Sequence, residues 1–229
     1  MSELNESFQN KTKWLLLIPT EFERGFVSDS ISPSLSVIVE VCGFGPIIPA
    51  ARTVQLIEQH QPDRVLLIGI AGSYDQRLTV GSAYPFLTVA CYGVGVGTGS
   101  SFQTAEKMGW HHWLDLNSDS SIGDTISITA NLPAPSYFPE SSQVQLLTVC
   151  AAAADIQDVE MRKEKFPDAV AEDMEGFSVA AACELCRRPV SIVRGISNRA
   201  GDRNKKNWKI SEAMASAVGV ACQMIGSVH

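Results

Sequence analysis

The stretch LSVIVEVCGFGPIIPAARTVQLIEQHQPDRVLLIGIAGSY, residues 35–74, decides the fold. Its first part, 35–45, is a continuous apolar run ending in Gly-x-Gly, the pattern of a strand buried on both faces. From Pro46 onward Ile48, Ala51, Val54, Leu56 and Ile57 recur at roughly helical spacing, with proline near the start, where a missing N–H costs least. DRVLLIGIAGSY, 63–74, is another buried strand that breaks at Gly69 and Gly72. With the short apolar run WLLLIP (14–19) in front, the order is β, β-α, β.

The same alternation continues towards the C-terminus. SAYPFLTVACYGVGVGTG (82–99) suggests a strand entering a glycine-rich loop, VQLLTVCAAAA (144–154) a strand, and 156–166 a mixed-charge helix. MEGFSVAAACELCRR (174–188) is a helix of small residues suited to close packing. PVSIVRGIS (189–197) is a strand, and NWKISEAMASAVGVACQMI (207–225) a final amphipathic helix. Interleaved strands and helices imply an α/β three-layer sandwich with a mixed, largely parallel central sheet. One domain is expected over 14–229, after a polar, disordered lead at 1–13. Residues 109–143 are rich in Ser, Pro and Asp, with DTISITA (124–130) as a possible strand, and read as a lid or long loop where specificity resides.

Composition bounds the function. The chain has 229 residues, 45% hydrophobic and 19% charged, with a formal net charge of −7. That balance argues against nucleic acid, whose phosphates need clustered Lys and Arg, and favours a small-molecule partner. The six cysteines lie mostly in apolar runs and read as reduced core residues. Cys183 and Cys186 form a CxxC without a second pair, a poor zinc site. No apolar leader and no run of about 18 apolar residues is present, so a cytoplasmic protein without membrane contact is expected. Neither GFGPII nor the GIAG turn continues as GxGxxG, which excludes a dinucleotide site. No step below requires a cofactor or a metal. His111 and His112, beside Trp110 and Trp113, are read as surface or dimer packing, with a lining of the substrate's arm or a metal as the other options.

In a largely parallel sheet, ligands bind beyond the carboxyl ends of the strands. The run at 14–19 leads into Thr20, Glu21, Glu23 and Arg24. Residues 35–41 lead into Gly43 and Gly45, 65–70 into Ala71, Gly72 and Ser73, and 190–196 into Ser197 and Asn198. These ends are expected to meet at one pocket. Arg194, inside an apolar strand, needs a carboxylate because an uncompensated buried guanidinium is strongly unfavourable. Glu175 and Glu21 are the candidates, either for a structural ion pair or for a group that polarises water. Glu172 and Asp173, taken as the opening of the small-residue helix, also fit as complements to its N-terminus.

The stretches 41–74, AEDMEGFSVAAAC (171–183) and VRGISNRAGDRNKKNW (193–208), by the order and spacing of GFG, GIAG, MEG and RxISN, resemble the purine nucleoside phosphorylase and nucleosidase superfamily. The nearest branch is futalosine hydrolase of menaquinone biosynthesis. The resemblance covers about residues 14–225 and leaves 109–143 unmatched. It implies hydrolysis of futalosine to hypoxanthine and dehypoxanthine futalosine, by a homodimer or larger assembly. Glu175 then takes the ribose 2′-hydroxyl and faces an oxocarbenium-like sugar. Met174 packs on the sugar, and Glu21, Glu175 and Arg194 hold the attacking water. Gly45, Ala71, Gly72, Asp173 and Ser197 line the substrate. Asn198 offers two N–H donors to N7 and O6 of a 6-oxopurine, where adenine-specific relatives tend to have Asp; an Asn cap on the next turn is the alternative. Leu67 stands where related phosphorylases commonly carry arginine, which favours water over phosphate, although Arg24 keeps phosphorolysis open. A methylthioadenosine or other purine nucleosidase or phosphorylase, and a non-catalytic nucleoside binder, are the competing readings.

Overall fold

In the computed structural model, which describes residues 12–28, 30–118, 120–128 and 144–226, β1 (Trp14–Ile18) is buried at every position. The two-residue period of a strand divides its side chains: Trp14, Leu16 and Ile18 enter one apolar core, Leu15 and Leu17 another on the opposite face. β1 lies parallel between β2 (Val37–Val41) and β3 (Arg64–Ser73), and α2 (Ile48–His60) makes the crossover between the latter two. On its other edge β3 pairs in parallel with β13 (Val190–Arg199), and β4 (Ala83–Phe86) closes that side antiparallel to β13. β5 (Thr88–Tyr92), β11 (Gln145–Val149) and β12 (Ala169–Asp173) form a second parallel group, edged by the antiparallel β10 (Thr125–Ser127). Among the described residues the result is a nine-stranded mixed, largely parallel sheet. Two minor hairpins, β6 (Gly95–Val96) with β7 (Gln103–Thr104) and β8 (Trp113–Leu114) with β9 (Ser121–Ile122), stand apart from it.

Helices cover both faces. α1 (Glu21–Val27) and α5 (Ile210–Gly226) place Val27, Met214, Ala217, Val218 and Ala221 against the Trp14 side. α2 and α4 (Gly176–Leu185) place Leu56, Ile57, Val179, Ala180 and Cys183 against the other. α3 (Ile156–Lys165), capped by the Asp155 side chain, sets Val159 beside Ala153 and Ala200. The sandwich expected from the alternation is present. Among the described residues no helix is long and apolar enough to cross a membrane.

Four local readings change. β2 is a half-buried edge strand and is not buried on both faces, and β3 runs on through Gly69 and Gly72 to Ser73 instead of breaking there. Residues 82–99 hold two strands interrupted at Leu87, then a hairpin strand, instead of one strand and a loop. Ala171, Glu172 and Asp173 close strand β12 and do not open a helix, because Leu146, Leu147 and Thr148 of β11 take them as ladder partners. Residues 1–11 of the lead expected at 1–13 and the stretch 129–143 of the polar segment lie outside the described residues; Thr125–Ser127 of that segment is a sheet edge.

One feature of the topology makes room for a ligand. β1 stays beside β3 only as far as Leu17 opposite Leu67, and β12 takes over that edge at Gly72 and Ser73. Among the described residues, the intervening edge of β3, residues 68–71, has no strand neighbour on that side.

Candidate active site

A cleft of about 510 Å³ opens at this gap, lined among others by Thr20, Glu23, Ile70, Ala71, Gly72, Asp173, Glu175 and Asn198. The chain leaves β1 through Pro19 into α1, whose N-cap Thr20 accepts from the Glu23 N–H at 3.2 Å. In Thr20-x-x-Glu23 the acid is the third helical residue and its side chain folds back over the helix start, as in a capping box. Here its Oε1 accepts the otherwise unpaired Ile70 N–H of the open β3 edge at 3.1 Å, and its Oε2 accepts the Thr20 hydroxyl at 2.6 Å. Glu23 is consequently buried, at 5% exposure.

Behind the cleft lies Arg194, fully buried on the same strand face as Ile192 and Ile196. Its Nε and Nη2 donate to Asp173 Oδ2 at 3.0 and 2.6 Å, and Nη2 reaches Glu175 Oε2 at 3.3 Å. Burial alone opposes its charge; the carboxylates of Asp173, Glu175 and Glu23 outweigh burial and raise its pKa. Among the described residues Nη1 has no hydrogen-bond partner. Gly69 explains how the group fits: a Cβ there would overlap Arg194 Nη1 and stand 2.9 Å from Glu23 Oε1. The absent side chain thus lets a guanidinium and a carboxylate approach the same point of backbone.

Asp173 is fully engaged with the protein. Besides Arg194 it accepts from the Thr148 hydroxyl at 2.7 Å and from the Gly176 N–H at the start of α4 at 2.8 Å. Glu172 is likewise held by Arg162, by the Tyr74 hydroxyl at 2.6 Å and by the Ala153 N–H at 2.8 Å. Glu175 keeps more freedom: Oε1 accepts the Gly45 N–H at 3.2 Å. Gly45 presents that N–H from a left-handed turn residue with φ +78°, a conformation costly for other side chains.

Burial, partly countered by Arg194 and reinforced by Asp173, pushes the Glu175 carboxyl up from 4.5 to about 7. The folded chain then binds more protons at this site than the unfolded chain between these two values. The contribution of Glu175 to stability is therefore highest at the acidic end of that window and falls as pH rises through about 7. Glu175→Gln, which cannot ionise, should gain stability relative to the wild type on going from about pH 5 to about pH 8. Urea unfolding of both chains at each pH measures that double difference; a difference independent of pH would contradict the shift.

At the far wall, β13 carries a bulge between Ile196 and Asn198 as it passes Ala71 and Gly72. The extra residue re-aims the strand end and brings both Ser197 and Asn198 to the cleft. The Ser197 hydroxyl lies 2.8 Å from Asn198 Oδ1 and 3.3 Å from the Ala71 carbonyl, and Asn198 Nδ2 donates to the Arg199 carbonyl at 2.7 Å. The remaining wall is apolar and aromatic, with Phe22, Phe44, Val149, Ala152, Met174 and Trp208, and among the described residues it carries a single cation, Arg203.

No protein-family model matches the chain. Among proteins of known activity it is similar to a futalosine hydrolase of Streptomyces coelicolor, 26% identical over 81% of this chain and 78% of that one. It is also similar to a 5′-methylthioadenosine/S-adenosylhomocysteine nucleosidase of Psychromonas ingrahamii, 24% identical over 87% and 82% of the two chains. The crystal structure of such a nucleosidase from Colwellia psychrerythraea, in complex with adenine, superposes with a TM-score of 0.74 at 17% identity, over 95% of this chain and 96% of that one. The fold is nucleoside phosphorylase-like.

Within this nucleoside phosphorylase-like fold, the expected site residues separate into three groups. Ala71, Gly72, Asp173, Met174, Glu175, Ser197 and Asn198 all line the cleft. Arg194 sits beneath the lining, and Gly45 acts from outside it through its N–H to Glu175. Glu21 does not join them: as the first residue of α1 it points away, 67% exposed, and pairs with Arg24 at 2.7 Å. Glu23 occupies the place expected of Glu21, and Asp173, not Glu21, is the main partner of Arg194. Arg24, the residue that kept phosphate in contention, does not line the cleft, and Leu67 is buried in the core. Asn198 is a strand residue and not a helix cap, and with one N–H on Arg199 it has one left to offer.

Glu23 was expected at the pocket only as one of the residues after 14–19, without a role, and Phe22, Phe44, Arg203 and Trp208 were not singled out by their sequence signals. The Thr20-x-x-Glu23 spacing is the one that could have identified Glu23. His112 is bound by Asp124 at 3.1 Å and packs on Phe177, and neither it nor His111, Trp110 or Trp113 lines the cleft.

Proposed function

We propose that the chain is a purine nucleosidase that hydrolyses the N-glycosidic bond of futalosine, releasing hypoxanthine and dehypoxanthine futalosine. The observation that carries this reading is the grouping of Glu23 and Glu175 about Arg194 at a nucleoside-sized cleft. Loss of the purine leaves positive charge on the ribose, so a site for it needs fixed anions and a water beside the anomeric carbon. Glu175 accepts from the 2′-hydroxyl and faces the developing cation. Glu23 takes a proton from water as its oxygen bonds to C1′. The C1′–N9 bond breaks with its electron pair going to the purine, which solvent protonates. Arg194 fixes the carboxylates and offers Nη1 to the water. Asn198, a neutral amide, donates one hydrogen bond to the leaving purine and no proton.

Water is favoured over phosphate as nucleophile because, among the described residues, the wall carries Glu23, Glu172, Asp173 and Glu175 against one lining cation. A 6-oxopurine is favoured because Asn198 Oδ1, the atom that could accept from an adenine amine, faces the Ser197 hydroxyl. The enzyme works in the cytoplasm as a homodimer or larger assembly in this reading. A methylthioadenosine nucleosidase is the second reading, supported by relatives of that activity at similar identity.

Incubation with futalosine, its amino analogue, inosine and methylthioadenosine, with and without phosphate, tests both. Hypoxanthine release from futalosine at a phosphate-independent rate is expected, and Asn198→Asp should move the preference towards adenine nucleosides. Faster adenine release from methylthioadenosine by the wild type would establish the second reading. No free base from any of them would exclude an enzyme of this class.

A further inference from the structure

Beside the Asp173 cluster lies a second buried ion pair, which the reaction above does not use. Arg162 of α3 and Glu172 of β12 are both buried, and Arg162 Nη1 donates to Glu172 Oε2. The Tyr74 hydroxyl donates to the same oxygen at 2.6 Å, and the guanidinium carbon lies 5.4 Å from the centre of the Tyr92 ring. A buried ion pair adds little net stability over apolar residues of its size, so stability alone does not account for it. What the pair holds is backbone. Glu172 Oε1 accepts the Ala153 N–H at 2.8 Å, and Arg162 Nη2 donates to the Ala151 carbonyl at 2.9 Å. Both peptide groups belong to the irregular stretch between β11 and α3, where no ladder satisfies them. Ala152, between them, lines the cleft, and among the described residues its own N–H and carbonyl take no hydrogen bond.

The place of this turn gives the pair a function. Glu172 and Asn198 are the register partners of Gly72 on its two sides. Two strand spacings put their backbones about 10 Å apart, so a purine held at one edge by Asn198 meets the Ala152 turn with the other. We infer that Arg162 and Glu172, with Tyr74, are positioning residues for the purine: they act through Ala152, fixing its peptide groups against the edge of the base opposite Asn198. The inference rests on the nucleoside reading above. In this role the pair governs how tightly the base is held and leaves the ribose end, at Glu23 and Glu175, as it is.

Calorimetry with two probes tests this without requiring turnover: hypoxanthine, which reports on the base wall alone, and iminoribitol, a cyclic-amine mimic of the ribosyl cation, which reports on the ribose end alone. Glu172→Gln removes the charge but keeps an acceptor for the Ala153 N–H. It should weaken hypoxanthine binding about five- to tenfold and leave iminoribitol within about twofold of the wild type. Arg162→Lys keeps the charge but not the fork that spans Glu172 and the Ala151 carbonyl, and its hypoxanthine affinity should fall between the two. The double variant Arg162→Met with Glu172→Leu strands no buried charge, so it should fold even if Glu172→Gln does not, and should show the same selective loss. Hypoxanthine affinity unchanged in these variants, or both probes weakened by one factor, would overturn the inference and leave the pair a purely structural one. Failure of the nucleoside reading would show instead in the wild type, which would bind neither probe.

Discussion

Replacing Glu23 by glutamine is expected to lower turnover by about 10²- to 10⁴-fold, the range of a lost general base, while Glu21→Gln stays within about twofold of the wild type, as exposed substitutions do. The two acids lie two residues apart and differ in everything that matters. Glu21 points to solvent against Arg24, whereas Glu23 is buried, takes the Ile70 N–H and shares the point beside Gly69 with Arg194 Nη1. Glutamine preserves one acceptor for Ile70, and the Thr20 hydroxyl can rotate to accept from its amide, so the fold should survive. Thermal unfolding separates the effects: Glu23→Gln should melt close to the wild type while losing its rate. A Glu23→Gln enzyme with full turnover would remove this residue from the chemistry, and a loss confined to Glu21→Gln would restore the reading made from sequence.

The largest effect on stability is expected at Arg194. Arg194→Met leaves Asp173 and Glu175 facing each other without their shared cation, inside the protein. Breaking a buried pair from one side costs about 3–5 kcal/mol, which for a chain of this size lowers the melting temperature by about 6–20 °C. The cause is the stranded carboxylates, so removing a charge from them should recover part of the loss. Arg194→Met with Asp173→Asn is predicted to be more stable than the sum of the two single changes allows, by about 1–3 kcal/mol in a double-mutant cycle. Additive behaviour would mean that the guanidinium and Asp173 are energetically independent despite their 2.6 Å contact. Neither variant should turn over substrate, since Glu175 loses the guanidinium that orients it.

Much of this arrangement was legible from the sequence because burial writes itself into apolar periodicity. Continuous apolar runs marked β1, β3 and β13, although β3 runs on through Gly69 and Gly72, where the glycines suggested a break. An arginine embedded in SIVRGIS could only be a paired, buried cation, and it is. What periodicity could not reveal was direction within a single turn. Glu21 and Glu23 are equally acidic and equally close to the strand end, and only the helix phase decides which one folds back over the gap. Asp173 was obscure for a related reason. Buried acids satisfied by Arg194, Thr148 and Arg162 look, in one dimension, like the polar start of a helix, although they are the end of a strand. Arg203 and Trp208 were hidden because loop residues carry no periodic signal; their stacking exists only once Lys209 is tied back to Ser197.

The most direct test of hydrolysis at this site is the fate of oxygen. Incubation of the enzyme with futalosine in ¹⁸O-labelled water, followed by mass spectrometry of the released sugar, should place one labelled oxygen in its anomeric hydroxyl together with an equivalent of hypoxanthine. Unlabelled sugar phosphate, or intact nucleoside after prolonged incubation, would contradict water activation by Glu23.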